Sequence, residues 1–181
     1  PLMVILTTRG SNDLIVSFVI FLMIYFLKKD NYIKGAFVYG LSVHLKIYPI
    51  IYAPVLYLYL QKDNTPFINK RSITFGIVSF ATFVVLTIFF YKLYGYKCLY
   101  ESLLYHLIRK DHRHNFSLFF LTIYSFFDNI NIGLSIISLI PWILLVLIVS
   151  VKYRKDLLSA LFLISFIFVT LEQTKTSDQT P

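Results

Sequence analysis

The sequence predicts an all-α polytopic membrane protein, a bundle of several membrane-embedded helices. Hydrophobic residues make up 57% of the 181-residue chain and charged residues only 14%, whereas a soluble domain carries about 25% charged residues. Several apolar runs approach the roughly 17–25 residues that a helix needs to cross a bilayer. We therefore expect residues 1–171 to form one transmembrane helical bundle, and residues 172–181 to form a polar, disordered tail.

The overall charge and the single cysteine exclude several other classes of protein. The net charge is +8, from 17 Lys and Arg against 9 Asp and Glu. In a membrane protein such an excess indicates basic cytoplasmic loops, and the charge is not gathered into one domain that would bind nucleic acid. Cys98 alone allows no internal disulfide and no Cys-rich metal site. The chain opens without an initiator Met or a signal peptide, so we expect a fragment of a longer protein.

The first 34 residues predict one crossing helix between a polar break and a basic turn. Residues 7–13 are polar and contain Gly10, and residues 14–27 are almost purely apolar. Asn12 or Asp13 is a plausible cap at the start of this helix. Residues 28–34 carry Lys residues and are expected on the cytoplasmic side.

The next apolar run, residues 36–60, is interrupted by His44, Lys46 and Pro49. Because both of its flanks are basic, both should face the cytoplasm. We therefore predict two short helices, 36–45 and 50–60, that meet at a polar elbow on the far side, where Pro49 breaks the helix. A single kinked span is the competing interpretation.

The remaining apolar segments predict further helices. An upright span is predicted at 73–91, a short segment that dips into the membrane at 116–127, and two more crossings on either side of a basic turn at 152–156. The crossings are residues 134–151, which contain Pro141, and residues 157–171. Because each crossing helix takes the chain to the other side of the membrane, the polar breaks at 7–13, 42–49 and 92–115 are predicted on one face.

Residues 100–117 form the strongest candidate for a functional site. They contain three of the four His residues and a cluster of cations, yet they fall on the face where few cations are expected. Arg offers a planar fork for phosphate and Lys a compact positive charge. We expect the site to bind phosphate or sugar through Arg109, Lys110, His112, Arg113, His114 and Asn115. A solvated loop on lipid headgroups is the alternative.

Polar residues elsewhere extend this candidate site. His44 and Lys46 lie within an apolar stretch, where ionisable residues are costly and often functional, although Lys46 alternatively snorkels to the interface. Arg9 and Asp13 flank the Gly10 turn, as substrate contacts or as an ion pair and cap. The acids of the central stretch, Glu101 and Asp111, are weak candidates for a general base, because each can instead pair with a nearby cation.

The sequence indicates no metal site. The spacing of His112 and His114 differs from the i,i+4 spacing of a helical zinc site. No Gly-rich phosphate loop, GxSxG or HExxH motif is present.

Three strings carry a resemblance to a known family. They are RGSND at 9–13, GLSVHLKIYPIIY at 40–52 and YHLIRKDHRHNFS at 105–117. In order and spacing they resemble GPI mannosyltransferase I, across about residues 3–170.

The resemblance implies a GT-C glycosyltransferase, multi-pass in the endoplasmic reticulum membrane, with its active face lumenal. It implies transfer of the first mannose, in α-1,4 linkage and with inversion, from dolichyl-phosphate-mannose to glucosaminyl-(acyl)phosphatidylinositol in GPI-anchor biosynthesis. It also implies a small accessory membrane subunit and no required cofactor, while dependence on a divalent cation stays open.

Two departures from the family pattern limit what this chain is expected to do alone. The family's acidic D-x-D-type motif, which holds the probable catalytic base, lies upstream of this chain, and its Cys-containing motif near residue 170 is replaced by LEQTKTSDQTP. We therefore expect the fragment alone to be inactive. One alternative is a polytopic transporter or channel, a class that usually places ionisable groups near the bilayer midplane and often has internal repeats. The other is an inactive fragment that binds the accessory subunit.

Overall fold

The computed structural model describes residues 13–61, 69–101 and 132–171, and these residues form helices joined by short turns, with no β-strand among them. The all-α class is therefore confirmed for this part of the chain. In chain order, the elements are α1 (Asp13–Lys28), α2 (Tyr32–Leu45), a 3₁₀ helix (Tyr48–Tyr52), α3 (Ala53–Tyr59), α4 (Lys70–Tyr94), α5 (Tyr96–Leu99), α6 (Ile132–Lys152) and α7 (Leu157–Leu171).

Helices α1 and α2 form a hairpin around a tight basic turn. Asp30 adopts the left-handed conformation with φ of 57°, which Asp tolerates better than most residues. The amide of Asn31 donates to the carbonyl of Phe26 at 2.9 Å. This turn lets α2 pack back along α1, and α2 begins at Tyr32, earlier than the predicted Ala36. The extra turn carries Lys34, which hydropathy alone assigns to the loop.

The predicted elbow is present directly after α2. The helix ends at Leu45, and Lys46 has extended backbone angles, φ −148° and ψ 139°. The 3₁₀ helix follows, with Pro49 in its first turn, a position that requires no N–H donor. The hydroxyl of Tyr39 donates to the Pro49 carbonyl at 3.1 Å. The chain therefore turns back alongside the last turns of α2.

After the elbow, α3 brings the chain back to the end of the bundle at which α2 begins. The side-chain amide of Asn69 donates to the Leu60 carbonyl at 3.3 Å, so the end of α3 lies beside the start of α4. Arg71 in turn pairs with Asp30 of the α1–α2 turn at 2.7 Å. These contacts place both ends of residues 32–60 at one end of the bundle. The prediction of two short helices with an elbow is confirmed, and the single kinked span is wrong.

Helix α4 is the one helix of the described residues that is long and apolar enough to cross a bilayer, with 25 residues. It begins at Lys70, where Asn69 caps it by accepting a hydrogen bond from the Arg71 amide at 3.2 Å. Two shorter apolar stretches are also present, Ile140–Lys152 and Leu157–Phe168. The predicted helix at 14–27 is confirmed as α1, with 16 residues among those described.

Small residues bring α2 and α4 into close contact. Ala36 and Gly40 lie four residues apart on α2, and facing them on α4 is Ser79, whose hydroxyl donates to the Ala36 carbonyl at 3.1 Å. Ser79 also donates to the Phe75 carbonyl of its own helix at 2.7 Å. Small residues at four-residue spacing are typical of tightly packed membrane helices, where hydrogen bonds and van der Waals contact drive association.

Helices α6 and α7 form a second hairpin, which packs on the elbow. Helix α6 begins at Ile132, two residues before the predicted start of the crossing at residue 134, and contains Pro141. Helix α7 has the predicted bounds. The hydroxyls of Tyr52 and Ser165 share a hydrogen bond of 2.7 Å, which fixes the 3₁₀ helix against the second half of α7. The predicted dip at 116–127 and the predicted tail at 172–181 lie outside the described residues.

The α6–α7 turn offers a test of the hairpin through its helix cap. Asp156 accepts hydrogen bonds from the Ser159 amide at 3.3 Å and from its hydroxyl at 2.5 Å. These bonds, with a smaller contribution from the charge of Lys28, hold the pKa of the Asp156 carboxyl below its ordinary value of 3.8. The pKa of Asp156 is lower in the folded than in the unfolded protein. The ionised carboxylate therefore stabilises the fold at pH values above 3.8, and this stabilisation is lost as the pH falls through the lowered pKa of the folded protein.

We therefore expect Asp156→Ala to lower the melting temperature in detergent by a few degrees at neutral pH, and to have little effect at a pH below the lowered pKa. Asp156→Ser is the matched control, because serine also caps helices but does not titrate. It should retain most of the stability and lose the pH dependence. Equal melting temperatures for the Ala variant and the natural protein at neutral pH would contradict this role of Asp156.

Candidate functional site

The elbow end of the bundle brings together two of the polar segments that the sequence singled out. Lys46, at the elbow, forms an ion pair with Asp13 at the start of α1, although the two residues lie 33 positions apart. The Lys46 and Asp13 side chains remain 41% and 48% exposed, respectively. Asp13 also suits this place because a carboxylate is favourable in the first turn of a helix. A cation is thus held at a defined and partly exposed point.

His44 lies against the aromatic face of α4. Its ring stacks on Phe90 with centroids 5.4 Å apart and meets the Phe83 ring edge-on at 5.9 Å. Phe83 and Phe90 are seven residues apart and so share one face of α4. The Nδ1 atom of His44 is buried and has no hydrogen-bond partner among the described residues. A buried polar atom of this kind requires an explanation, because leaving it unpaired costs about 1–3 kcal/mol.

A second cluster of aromatic side chains packs against the elbow on the side of α6 and α7. Tyr48 stacks on Phe168 with ring centroids 6.1 Å apart, and Phe168 contacts the Trp142 ring at 6.4 Å. The Nε1–H of Trp142 is buried and has no acceptor among residues 13–61, 69–101 and 132–171. Buried Trp usually donates this hydrogen. The elbow therefore has orphaned polar atoms on two sides, His44 and Trp142.

Among the predicted site residues, the structure describes Asp13, His44, Lys46 and Glu101, and it brings the first three to the elbow end. Glu101 lies 3.9 Å from Lys97, one turn earlier, and its side chain is exposed. This pairing is the alternative that the sequence offered for Glu101. Eight predicted residues lie outside the described ranges: Arg9, Arg109, Lys110, Asp111, His112, Arg113, His114 and Asn115.

Sequence reasoning missed Trp142 as a site residue. It is the single Trp of the chain and follows Pro141 inside an apolar helix. That combination is a weak signal, because Trp and Pro are both common in membrane helices. Only the packing of α6 and α7 against the 3₁₀ helix reveals that this indole lies beside the elbow.

Within the described ranges, no group of three or more His, Cys, Asp or Glu side chains is arranged to hold a metal ion. Cys98 takes part in no disulfide among the described residues and is half-buried. The elbow therefore presents a paired ammonium group, a histidine, an indole N–H and aromatic faces. Ammonium groups and aromatic faces suit anionic and sugar ligands, respectively.

The contribution of the Asp13–Lys46 pair to stability should be small. Both side chains are nearly half exposed, and pairs of this kind contribute about 0.2–1 kcal/mol, less at high salt. We expect a double-mutant cycle with Asp13→Asn and Lys46→Met, read as unfolding free energy, to give a coupling energy in that range. A coupling well above about 1 kcal/mol would show that the pair has a mainly structural role.

Comparison with known proteins identifies what this chain is similar to. The family model described as "Mannosyltransferase (PIG-M)" matches residues 6–179. GPI mannosyltransferase 1 of Candida albicans is 35% identical over 193 residues, which cover 98% of this chain and 48% of the relative. The protein of the same name from Saccharomyces cerevisiae is also 35% identical, over 98% of this chain and 47% of its own length.

An animal relative is similar to this chain to the same extent. The Danio rerio protein named "GPI alpha-1,4-mannosyltransferase I, catalytic subunit" is 34% identical over 98% of this chain and 47% of its own length. The chain thus spans about half the length of the curated relatives it matches. No solved structure matches the chain.

Proposed function

Since this chain belongs to the PIG-M family of mannosyltransferases, we propose that it forms part of an enzyme that adds the first mannose of the GPI anchor. The sugar comes from dolichyl-phosphate-mannose and is transferred in α-1,4 linkage to glucosaminyl-(acyl)phosphatidylinositol. The observation that carries the proposal is the elbow, where Lys46, His44 and Asp13 converge beside an apolar bundle. The Lys46 ammonium group is paired with Asp13 but partly exposed, so an anionic lipid headgroup fits beside it at the edge of the apolar bundle.

The charge distribution supports a lumenal position for the elbow. The end opposite the elbow carries the Asp30–Arg71 pair and a set of basic residues at helix ends: Lys28, Lys29, Lys34, Lys70, Lys152, Arg154 and Lys155. Basic residues of this kind face the cytoplasm in membrane proteins. The proposal therefore orients the elbow toward the lumen of the endoplasmic reticulum, in a multi-pass GT-C bundle that comprises residues 1–171.

The chemistry assigned to the site is a single displacement with inversion. The acceptor hydroxyl attacks the anomeric carbon of the mannose, the bond from that carbon to the phosphate oxygen breaks, and the electron pair leaves on dolichyl phosphate. A base removes the hydroxyl proton. Lys46 stabilises the negative charge that develops on the phosphate, because a preorganised cation acts most strongly where charge appears during the reaction.

Other residues complete the proposed site. Arg109, Lys110, His112, Arg113, His114 and Asn115 bind phosphate or sugar hydroxyls, and Arg9 with Asp13 closes the cavity. Glu101 and Asp111 are the weak candidates for the base in this chain. Trp142 donates its indole N–H to a sugar oxygen, which would satisfy a donor that is otherwise orphaned. A small accessory membrane subunit is the proposed protein partner.

Complementation tests the proposal. We expect full-length protein to restore GPI anchoring in cells that lack the first GPI mannosylation, and His44→Ala and Arg113→Ala to reduce this by about 100-fold, the order of loss seen when a group that stabilises the transition state is removed. The readout is mannose incorporation into the GPI precursor. Full activity of both variants would remove His44 and Arg113 from the mechanism.

A non-catalytic role for the chain alone is the second candidate; the chain spans about half the length of the relatives it matches. In that case the chain alone binds the accessory subunit and transfers no mannose. An in vitro transfer assay with the chain alone tests this role: we expect no product, and mannose transfer by the chain alone would contradict it.

A further inference from the structure

Three segments bring their cations to the end of the bundle opposite the elbow, which we call the basic end. They are the α1–α2 turn, the start of α4 and the α6–α7 turn. Arg71 at the start of α4 pairs with Asp30 of the α1–α2 turn at 2.7 Å, although the two residues lie 41 positions apart. The cations of the basic end, among the described residues, are Lys28, Lys29, Lys34, Lys70, Arg71, Lys152, Arg154 and Lys155.

The α6–α7 turn lies beside the α1–α2 turn. Leu27, one residue before Lys28, and Leu157, one residue after Asp156, are both buried in the same hydrophobic core. In addition to the hydrogen bonds from Ser159, the charge of Lys28 lowers the pKa of the Asp156 carboxyl. Such an effect requires the two side chains to lie within electrostatic range of each other. The two hairpins therefore present their cationic turns side by side.

The acidic residues of the basic end are too few to balance its cations. Among the described residues they are Asp30, which binds Arg71, and Asp156, which accepts hydrogen bonds from Ser159. Eight cations thus share this end with two carboxylates. Like charges gathered at one place repel one another and oppose the compact state. Anions from outside the protein would reduce this repulsion.

Aromatic rings hold several of these cations against the surface of the protein. A cation over the face of a ring is attracted by the charge distribution of the ring. Apart from Arg71, which is half-buried, all eight cations are exposed, so a partner can reach them. The pairs and their distances to the ring centroid are Lys29 over Tyr25 at 4.7 Å, Lys34 over Phe26 at 6.0 Å, Arg71 over Tyr32 at 5.5 Å and Lys152 over Tyr153 at 5.8 Å.

Exposed apolar side chains directly adjoin the cations. Ile33, next to Lys34, is 51% exposed, and Val151, next to Lys152, is 62% exposed. Ile73 in the first turn of α4 is also exposed. Cations beside an apolar surface suit the boundary between lipid headgroups and lipid chains, where Lys and Arg side chains reach the phosphates. A soluble acidic protein would bind the cations and leave the apolar side chains without an apolar surround.

We propose that the basic end binds the headgroups of anionic lipids in the membrane leaflet that it faces, and that these lipids stabilise the packing of the α1–α2 hairpin against the α6–α7 hairpin. Headgroups bound at both turns reduce the repulsion between their cations. An excess of basic residues on one side is enough to orient a membrane protein, and it does not require the turns to converge. The inference therefore depends on the contacts between the turns, and it is independent of mannosyl transfer.

The test compares melting temperatures of the full-length protein in phosphatidylcholine nanodiscs with and without phosphatidylserine. Lys29→Gln combined with Lys152→Gln removes one cation from the turn of each hairpin. Lys92→Gln combined with Lys97→Gln is the matched control, because it removes two exposed lysines near the opposite end of α4. The control lysines also meet phosphatidylserine in the other leaflet, so the comparison shows whether scattered lysines are sufficient.

We expect phosphatidylserine to raise the melting temperature of the natural protein by about 5 °C, the order that several contacts between cations and headgroups supply. The Lys29 and Lys152 double variant should lose about half of this shift, and high salt should reduce it in all proteins. In phosphatidylcholine alone, this variant should melt at or above the temperature of the natural protein, because like-charge repulsion is removed. This combination separates loss of lipid binding from a defect in folding.

The control variant should keep the full shift. Equal shifts in the two double variants, or no shift in the natural protein, would overturn the proposal. Inorganic phosphate and polyglutamate, each added to the protein in phosphatidylcholine nanodiscs, test a site for a free anion and a surface for an acidic protein. We expect neither to raise the melting temperature, and a shift with either that equals the shift with phosphatidylserine would contradict a lipid-binding surface.

Discussion

A His44→Phe variant should fold at least as well as the natural protein and should lose about 100-fold or more of its mannosyl transfer, a loss typical of removing a polar group that acts in the transition state. Phenylalanine keeps a flat ring between Phe83 and Phe90. It also removes the buried Nδ1 atom, which has no partner among the described residues and which costs about 1–3 kcal/mol while unpaired. Stability and activity are therefore expected to change in opposite directions.

The measurement combines melting temperature in detergent with initial rates of transfer to a GPI precursor. Phe90→Leu is the matched control, because it disturbs the same ring stack and leaves the imidazole in place. It should lower stability and retain most of the transfer activity. If His44→Phe transfers mannose normally, the imidazole is only a packing element, and the polar site must be assigned without it.

The second large effect is expected where α2 and α4 make their closest contact. A Cβ atom on Gly40 would lie 2.5 Å from the Ser79 carbonyl oxygen and 2.8 Å from the Thr82 Cβ atom. Since the backbone of α4 cannot move aside without separating the helices, Gly40→Ala should cost about 3 kcal/mol, at the upper end of overpacking effects. The hydrogen bond from Ser79 to Ala36 is expected to break as well.

Gly76→Ala is the control for Gly40→Ala, because it is the same change within α4, at a position with nothing nearby. There alanine should stabilise the protein by about 0.5–1 kcal/mol, since glycine is the poorer helix former. The two variants are compared by thermal unfolding in detergent and by yield of folded protein. Equal effects of the two substitutions would show that the α2–α4 contact is not close packed.

The elbow explains how irregular backbone is tolerated in an apolar bundle. Backbone groups away from water must find partners within the protein. Here Tyr39 satisfies the carbonyl of Pro49, and Tyr52 is held by Ser165. Both tyrosines come from apolar stretches of the sequence. The Tyr39 bond and the Tyr52–Ser165 bond both hold the 3₁₀ helix, which begins two residues after Lys46.

Parts of the site were visible in the sequence and others were not. His44 and Lys46 stood out because ionisable residues are costly in an apolar run, and Pro49 with two basic flanks predicted the turn between helices. The partner of Lys46 was not predictable, because Asp13 also fitted a helix cap or a pair with Arg9. Trp142 gave only a weak signal, since its neighbours in sequence are all apolar.

By itself, the sequence determined the helical class and the elbow at Pro49, because hydropathy and proline act over a few residues. Only the tertiary structure decided that Asp13 pairs with Lys46, that Gly40 packs against Ser79 and that an apolar groove between α2 and α4 includes Gly76. The physical reason is that an apolar helix has no polar face to mark its neighbour. Shape and a few hydrogen bonds choose which sides of the helices touch.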